Sequence, residues 1–290
     1  DVIAGEKENG TLKLTLANGS QRASLLLGKM LGRFVLIFVP FFTLFFAAAI
    51  VVSLLPDVQS GGYYWQRVAI ILAASGLYAL VFSSIGVFIS SLVHGSSTAM
   101  ILSLAVWVLF VFVIPNMGTT IARTVSDLPP SERVEMQSRL ATIQAIYERI
   151  QRERNVGEGR EGQRMIQQIR DANSQLFESY RPKLKRLIST TRNIVLISPS
   201  AALTFLITDV ANTGLREELR LKDAITLHVN RNFNRLVGLE RGPSENFQYE
   251  RASLNDIFSE SAFLDVVILV LFGFGFMTAG MGSFLRYDPR

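Results

Sequence analysis

Four long apolar runs constrain this chain more than any other feature: residues 34–55, 68–93, 98–115 and 262–285. A bilayer core about 30 Å thick is crossed by roughly 20 apolar residues in a helix, and each run approaches or exceeds that length. The first three are separated only by the short loops 56–67 and 94–97, so they must be antiparallel neighbours, and the fourth follows the long polar stretch 116–261. Composition agrees: 49% of the residues are hydrophobic and Phe occurs 20 times against 2 Trp and 7 Tyr, a weighting unusual for a soluble domain. The fold class expected is all-α, a polytopic membrane protein with four transmembrane helices in this chain.

Cysteine is absent, which removes disulfides, thiolate catalysis and Cys-ligated metal from consideration. His94 and His228 are the two imidazoles; His94 sits in the short turn SLVHGSS and His228 has no second ligand at i+3 or i+4, so no metal site is expected. The chain opens at Asp1 without a charged n-region and short apolar h-region. Residue 1 is therefore expected to lie inside a longer product, with two further spans upstream.

Short flanks set the orientation. Lys7, Lys13, Arg22, Lys29 and Arg33 precede the first span and Arg286 and Arg290 follow the last, whereas the loop PDVQSGGYYWQR holds Arg67 and the interfacial aromatics Tyr63, Tyr64 and Trp65. Both ends are then cytoplasmic and 116–261 lies outside, since long loops translocate largely regardless of their charge. Four regions follow: cytoplasmic coupling and elbow helices at 1–33, three spans within 34–115, an extracytoplasmic helical domain at 116–261, and the last span with its tail at 262–290.

Within 116–261 the composition turns to Arg, Glu, Gln and Ser. Met136, Leu140, Ile143, Tyr147 and Ile150 form a heptad seam, RNVGEGREG at 154–162 breaks it, and Ile166, Ile169, Leu176 and Tyr180 resume it. An antiparallel helical hairpin is the reading. Pro182 interrupts that helix and leaves a basic patch of Lys183, Lys185 and Arg186, either a solvated helix face or a contact for an extracytoplasmic partner or anionic lipid. ISPSAALTFLITDVANTGL at 197–215 starts a helix at Pro199 and Ser200 and ends at Gly214. It is too short to span and is placed at the membrane surface or in the core of the insertion.

Motifs for chemistry fail on inspection. Gly28-Lys29 resembles the end of a phosphate loop, but Met30 stands where Ser or Thr must hold magnesium and Gly19 is too far upstream. GFGFMTAGMG at 273–282 lacks the third glycine of a dinucleotide fingerprint; Gly275 and Ala279 read instead as a small-xxx-small packing pair. Ser83, Ser84, Gly86, Ser90 and Ser91 read as helix packing, with a polar translocation strip as the alternative. Asn18-Gly19-Ser20 is a sequon on the cytoplasmic side, hence a turn, and Asp265, the acid inside the spans, is placed at the outer interface. No catalytic, cofactor-binding or metal residue is expected in the chain.

The stretch DVIAGEKENGTLKLTLANGSQRASLLLGKMLG resembles the cytoplasmic segment of the permease subunits of type-2 ATP-binding-cassette transporters, in which an EKE-GTL element precedes an Arg-Ser helix and a Gly-Lys pair. Here these are Glu6, Lys7, Glu8, Gly10, Thr11, Leu12, Arg22, Ser24, Gly28 and Lys29. The likeness continues in SSLVHGSSTAMILSLAVWVL (90–109), SPSAAL (198–203) and SFLRYDPR (283–290). It implies a six-span half-transporter in the bacterial cytoplasmic membrane, paired with a second permease copy or a related permease and resting on cytoplasmic ATPase subunits that carry the ATP and magnesium. It further implies an ATPase interface at Glu6, Lys7, Glu8, Gly10, Thr11, Leu12 and Arg22. Membrane lipid is a further partner and nucleic acid is not. The activity implied is export coupled to ATP hydrolysis in the partner; the alternative is a mechanical transmitter that drives an extracytoplasmic protein and transports nothing. One local conflict stands: TLKLTL alternates with period 2, yet Leu12 and Leu16 are also i,i+4, and an isolated strand at a membrane surface would leave its edges unpaired, so a helix is expected.

Overall fold

In a computed structural model the described residues are 3–17, 22–56, 58, 61–125, 137–138, 141–142, 182–183, 185–236 and 246–286. Among them there is no strand. The chain forms α1 (Ala4–Glu8), α2 (Thr11–Ala17), α3 (Arg22–Ser53), α4 (Gly62–Leu92), α5 (Ser96–Val108), α6 (Ile114–Val125), α7 (Pro199–Val210), α8 (Leu215–Leu236), α9 (Leu254–Ile257) and α10 (Phe263–Leu285). Among the described residues four apolar helical stretches are long enough to cross a membrane: Ala23–Ser53, Gly62–Leu92, Ser96–Gly118 and Leu254–Leu285. They cover the four expected runs to within two residues at their C-terminal ends and begin earlier in each case, and the chain is a multi-pass all-α membrane protein.

TLKLTL is helical, as α2. Helix pairs its backbone within the segment, whereas a lone strand there would expose both edges. α3 runs unbroken from Arg22 into the first span, carrying Leu26 and Met30 inward and Leu31 outward.

By compactness the chain divides into two units, residues 1–113 with 196–290, and residues 114–195. In the first, α4 and α10 pack along their lengths, with Val81 and Leu269 fully buried. α10 comes close to α4 at Gly280, where a Cβ would lie in van der Waals contact, 3.4 Å from the backbone N and Cα of Phe88, leaving no room for a larger side chain. The small-residue contact thus falls at Gly280, while Gly275 and Ala279 are exposed. On α3, Phe34, Phe38, Phe42 and Phe46 meet at i,i+4 with centroids 5.0, 6.2 and 5.8 Å apart, the first and last pairs stacked and the middle one tilted, and Phe46 meets Trp65 of α4 at 5.9 Å. That ladder accounts for part of the phenylalanine excess: aromatic rings at i,i+4 cover one helix face and reach the neighbour.

Within 196–261, drawn by composition into the outside domain, α7 and residues 254–261 pack with the spans. α7 lies against α4 and α10, burying Ala202, Leu206 and Val210. Two π-helical turns hold it. Ser198 caps α7 and donates its hydroxyl to the Phe110 carbonyl (2.5 Å) in the π turn Leu109–Val113. Ser261, in the π turn Phe258–Ala262, donates to the Asp209 carboxylate at 3.0 Å. A π turn carries one extra residue and loosens the regular hydrogen-bond ladder, leaving carbonyls for outside donors such as Ser198. Asp265 is fully buried, within the continuous helical stretch Leu254–Leu285. α8 is flanked by residues 246–250, with Phe247 against His228 at 5.3 Å and the Tyr249 hydroxyl donating to Glu217 at 2.9 Å.

The second unit contains α6 and a helical stretch at 185–195 whose Arg192 and Val195 are buried, with Val195 beside Gly118. The seam residues of the expected hairpin, from Met136 to Ile150 and from Ile166 to Tyr180, lie outside the described residues. Lys183, Lys185 and Arg186 are all exposed.

Candidate functional site: the N-terminal elbow

α1, α2 and the start of α3 fold into an elbow against the ends of α4, α5 and α10. Its centre is an apolar cluster of Ile3, Leu12, Leu26 and Met30 with Val87 of α4 and Phe284 of α10. Burying aliphatic side chains of this size contributes about 1.5–3 kcal/mol each where they leave water. Gly10 makes the turn between α1 and α2 at φ +69°, a left-handed conformation that glycine adopts without the Cβ clash other residues suffer. Leu12, following it, is 1% exposed, whereas Leu14 is 70% exposed.

The EKE residues are spent on helix ends and an ion pair. Glu6 pairs with Lys29 of α3. The Lys7 ammonium donates to the carbonyls of Ser91 (2.5 Å) and Val93 (3.3 Å) at the end of α4. The Glu8 carboxylate accepts the Ser96 N–H at 2.9 Å, at the start of α5. In return, Ser90 Oγ of α4 accepts the N–H groups of Ile3 and Ala4, both at 2.9 Å, at the start of α1. Half-burial pulls the Lys7 ammonium below its ordinary value of 10.5, because leaving water disfavours the charged form.

The structure thus brings Glu6, Lys7, Glu8, Gly10, Thr11 and Leu12 together in one elbow. Thr11, Gly10 and Glu8 face outward, Glu6 and Lys7 are half-covered, and Leu12 is a core residue of the elbow. Arg22 opens α3, and its side chain lies outside the described residues. Lys183, Lys185 and Arg186 belong to the other compact unit.

Sequence reasoning missed Ser90, Ser91 and Ser96 as partners of this element. The available signal was the need of helix ends for caps: Ile3 and Gly95, the N-cap residues of α1 and α5, offer no side-chain cap. It also missed a second polar cluster at the opposite end of α4. There Arg67 donates to the carbonyls of Val210 and, at 3.1 Å, Ala252, joined by Asn212 Nδ2 to Ala252 at 3.3 Å and by an Arg220–Glu260 pair at 2.5 Å. That cluster ties α4, α7, α8 and the approach to α9 into one polar knot. Ser84 is buried, donates to the Leu80 carbonyl at 2.8 Å and touches the Met30 sulfur at 3.8 Å. Among the described residues no three His, Cys, Asp or Glu side chains are grouped to hold a metal ion.

The profile of the family described as ABC-2 family transporter protein matches residues 1–288. Over 114 residues, 39% of this chain, the sequence is 35% identical to a protein of Stutzerimonas stutzeri named "Probable ABC transporter permease protein NosY", and the match spans 41% of that relative's length. No solved structure matches the chain. The family match runs from the elbow through all four spans to the last residues of α10, and on that evidence the chain belongs to the ABC-2 transporter family.

Proposed function

We propose that the chain is the transmembrane permease subunit of an ATP-binding-cassette export complex in the bacterial cytoplasmic membrane, coupling ATP hydrolysis in separate cytoplasmic ATPase subunits to substrate movement. The observation that carries this reading is the family match over residues 1–288, supported by the permease name of the Stutzerimonas stutzeri relative. In this reading the ATP and magnesium sit in the partner, which docks on the elbow, and a second permease copy or a related permease completes the pathway.

The elbow's internal bonds sharpen the docking surface. Glu6, Lys7 and Leu12 hold the elbow in shape, while Glu8, Gly10, Thr11 and the exposed Leu14 present it to the ATPase. Reversing Glu6 would break its pair with Lys29 as well as any docking, so the cleaner test alters the outward face. Leu14→Arg and Thr11→Arg in the full complex should each lower the ATPase recovered with the membrane subunit at least fivefold, with membrane insertion unchanged. Undiminished co-purification in both variants contradicts the docking surface.

The second reading, a mechanical transmitter that drives an extracytoplasmic partner, is favoured by residues 114–195 forming a compact unit of their own. Assay of the complex with that partner present separates the two: substrate movement supports export, and ATP-dependent partner activity without movement supports the transmitter.

A further inference from the structure

We propose that α1 and the turn joining α4 to α5 move as one rigid body, so that force on the elbow enters the α4–α5 pair through helix-end caps and not along the chain into α3. The source of the force rests on the ATPase-docking reading above; the rigid body does not.

Three helix ends meet at this point, and each is capped from another element. The start of α1 is closed by Ser90 Oγ, which takes the N–H groups of Ile3 and Ala4 at 2.9 Å. The end of α4 is closed by Lys7, whose ammonium meets the Ser91 carbonyl at 2.5 Å and that of Val93 at 3.3 Å. The start of α5 is closed by Glu8, which takes the Ser96 N–H at 2.9 Å. Because the N-cap positions of α1 and α5 are Ile3 and Gly95, neither helix start has a cap of its own. The exchange is reciprocal: displacing α1 uncaps all three ends at once. An uncapped helix end near a membrane surface leaves backbone groups without partners, which resists separation.

The alternative route is softer. Along the chain, α1 reaches α2 through Gly10 in a left-handed turn, a joint that bends easily. Across to α3 the polar link is the Glu6–Lys29 pair, whose side chains are 37% and 23% exposed. Partly solvated ion pairs of this kind hold weakly and are screened by salt. The apolar cluster of Ile3, Leu12, Leu26 and Met30 also joins the elbow to α3. Apolar packing is non-directional, however, whereas the caps fix helix ends in place. A push on the elbow therefore displaces the α4–α5 turn with α1 more than it displaces α3.

The test breaks two of the three caps, those of α1 and α5, from the α4–α5 side and leaves Glu6, Lys7, Glu8 and the outward face intact. Ser90→Ala removes the acceptor for α1. Ser96→Pro removes the N–H that Glu8 takes, at the first position of α5, where proline is favoured. Gly95 already stands at φ −98°, ψ 137°, the extended backbone that a following proline requires. Ser96→Ala keeps the N–H and is the control. Hydrogen exchange on the intact complex in lipid nanodiscs, with and without a non-hydrolysable ATP analogue, is read in peptides covering 3–9 and 93–100. In the wild type and Ser96→Ala, nucleotide changes exchange in both peptides. In the Ser90→Ala/Ser96→Pro double variant the change persists at 3–9 and shrinks at least fivefold at 93–100. An undiminished response at 93–100 overturns the proposal. If nucleotide moves neither peptide in the wild type, the docking reading fails, and the rigid body is judged without nucleotide. There Ser90→Ala alone should quicken exchange at 3–9 and 93–100 together, roughly fivefold, the effect of a lost cap; loosening of 3–9 alone overturns it.

Discussion

The ammonium of Lys7 lies 2.5 Å from the carbonyl oxygen of Ser91, closing the end of a membrane-spanning helix with a side chain from the far end of the sequence. A cation at a helix C-terminus meets the orphan carbonyls and the negative end of the helix dipole together. Lys7→Met keeps the apolar stem and removes that donor. Amide exchange at residues 91–95 should rise about fivefold to tenfold, consistent with loss of a charge-assisted cap worth about 1–1.5 kcal/mol. Unchanged exchange there would show that the contact does not hold the helix end.

Ser198 carries two duties at zero exposure, capping α7 and donating to the Phe110 carbonyl in the π turn. Ser198→Ala leaves that carbonyl and the α7 start without their partner. A loss of about 1–3 kcal/mol is expected, measured as a lowered midpoint of thermal unfolding in detergent or nanodiscs. Ser198→Thr, which retains the hydroxyl, should recover part of it.

Gly280 separates two size regimes. A Cβ there would sit 3.4 Å from Phe88 backbone atoms, ordinary contact distance, so Gly280→Ala should fold with nearly wild-type stability. Gly280→Leu must push α10 away from α4 and should cost about 2 kcal/mol or more through overpacking, read as loss of folded protein after extraction.

Tyr249 supplies a pH-dependent contact outside the spans. Its phenol is held above the ordinary value of 10.0, by loss of water around it and by donating to the Glu217 carboxylate, which disfavours a second negative charge. The folded value exceeds the unfolded one, so the contact is fully present below about pH 10 and is lost as the pH rises through the raised folded value. The tyrosinate absorbance difference between wild type and Tyr249→Phe should therefore titrate above pH 10; a midpoint at or below it contradicts the Glu217 contact.

Legibility in the sequence followed periodicity and length. The spans were readable because twenty apolar residues leave few alternatives, and α2 was readable because an edge-exposed strand is costlier than a helix of the same residues. The start of α7 at Pro199 was readable but its placement was not, since a mostly apolar helix of twelve residues describes a buried helix, an interfacial helix and a core helix of another domain equally well; its partners α4 and α10 are distant in sequence. Glu6, Lys7 and Glu8 looked like free charges available to a partner. Their use as an ion pair and as caps depends on where the ends of α3, α4 and α5 come to lie, which no local pattern records. Asp265 was placed by its distance from the span's edge, which says nothing of the neighbours that bury it completely within the protein.

The most direct measurement is purification of the intact protein from its native membrane under mild conditions, followed by identification of what accompanies it and assay of ATP turnover. An ATP-binding-cassette ATPase present in fixed proportion to this chain, with turnover lost when Leu14→Arg releases it, is the predicted result. Recovery of the folded membrane protein with no nucleotide-binding subunit and no ATP turnover would contradict the account.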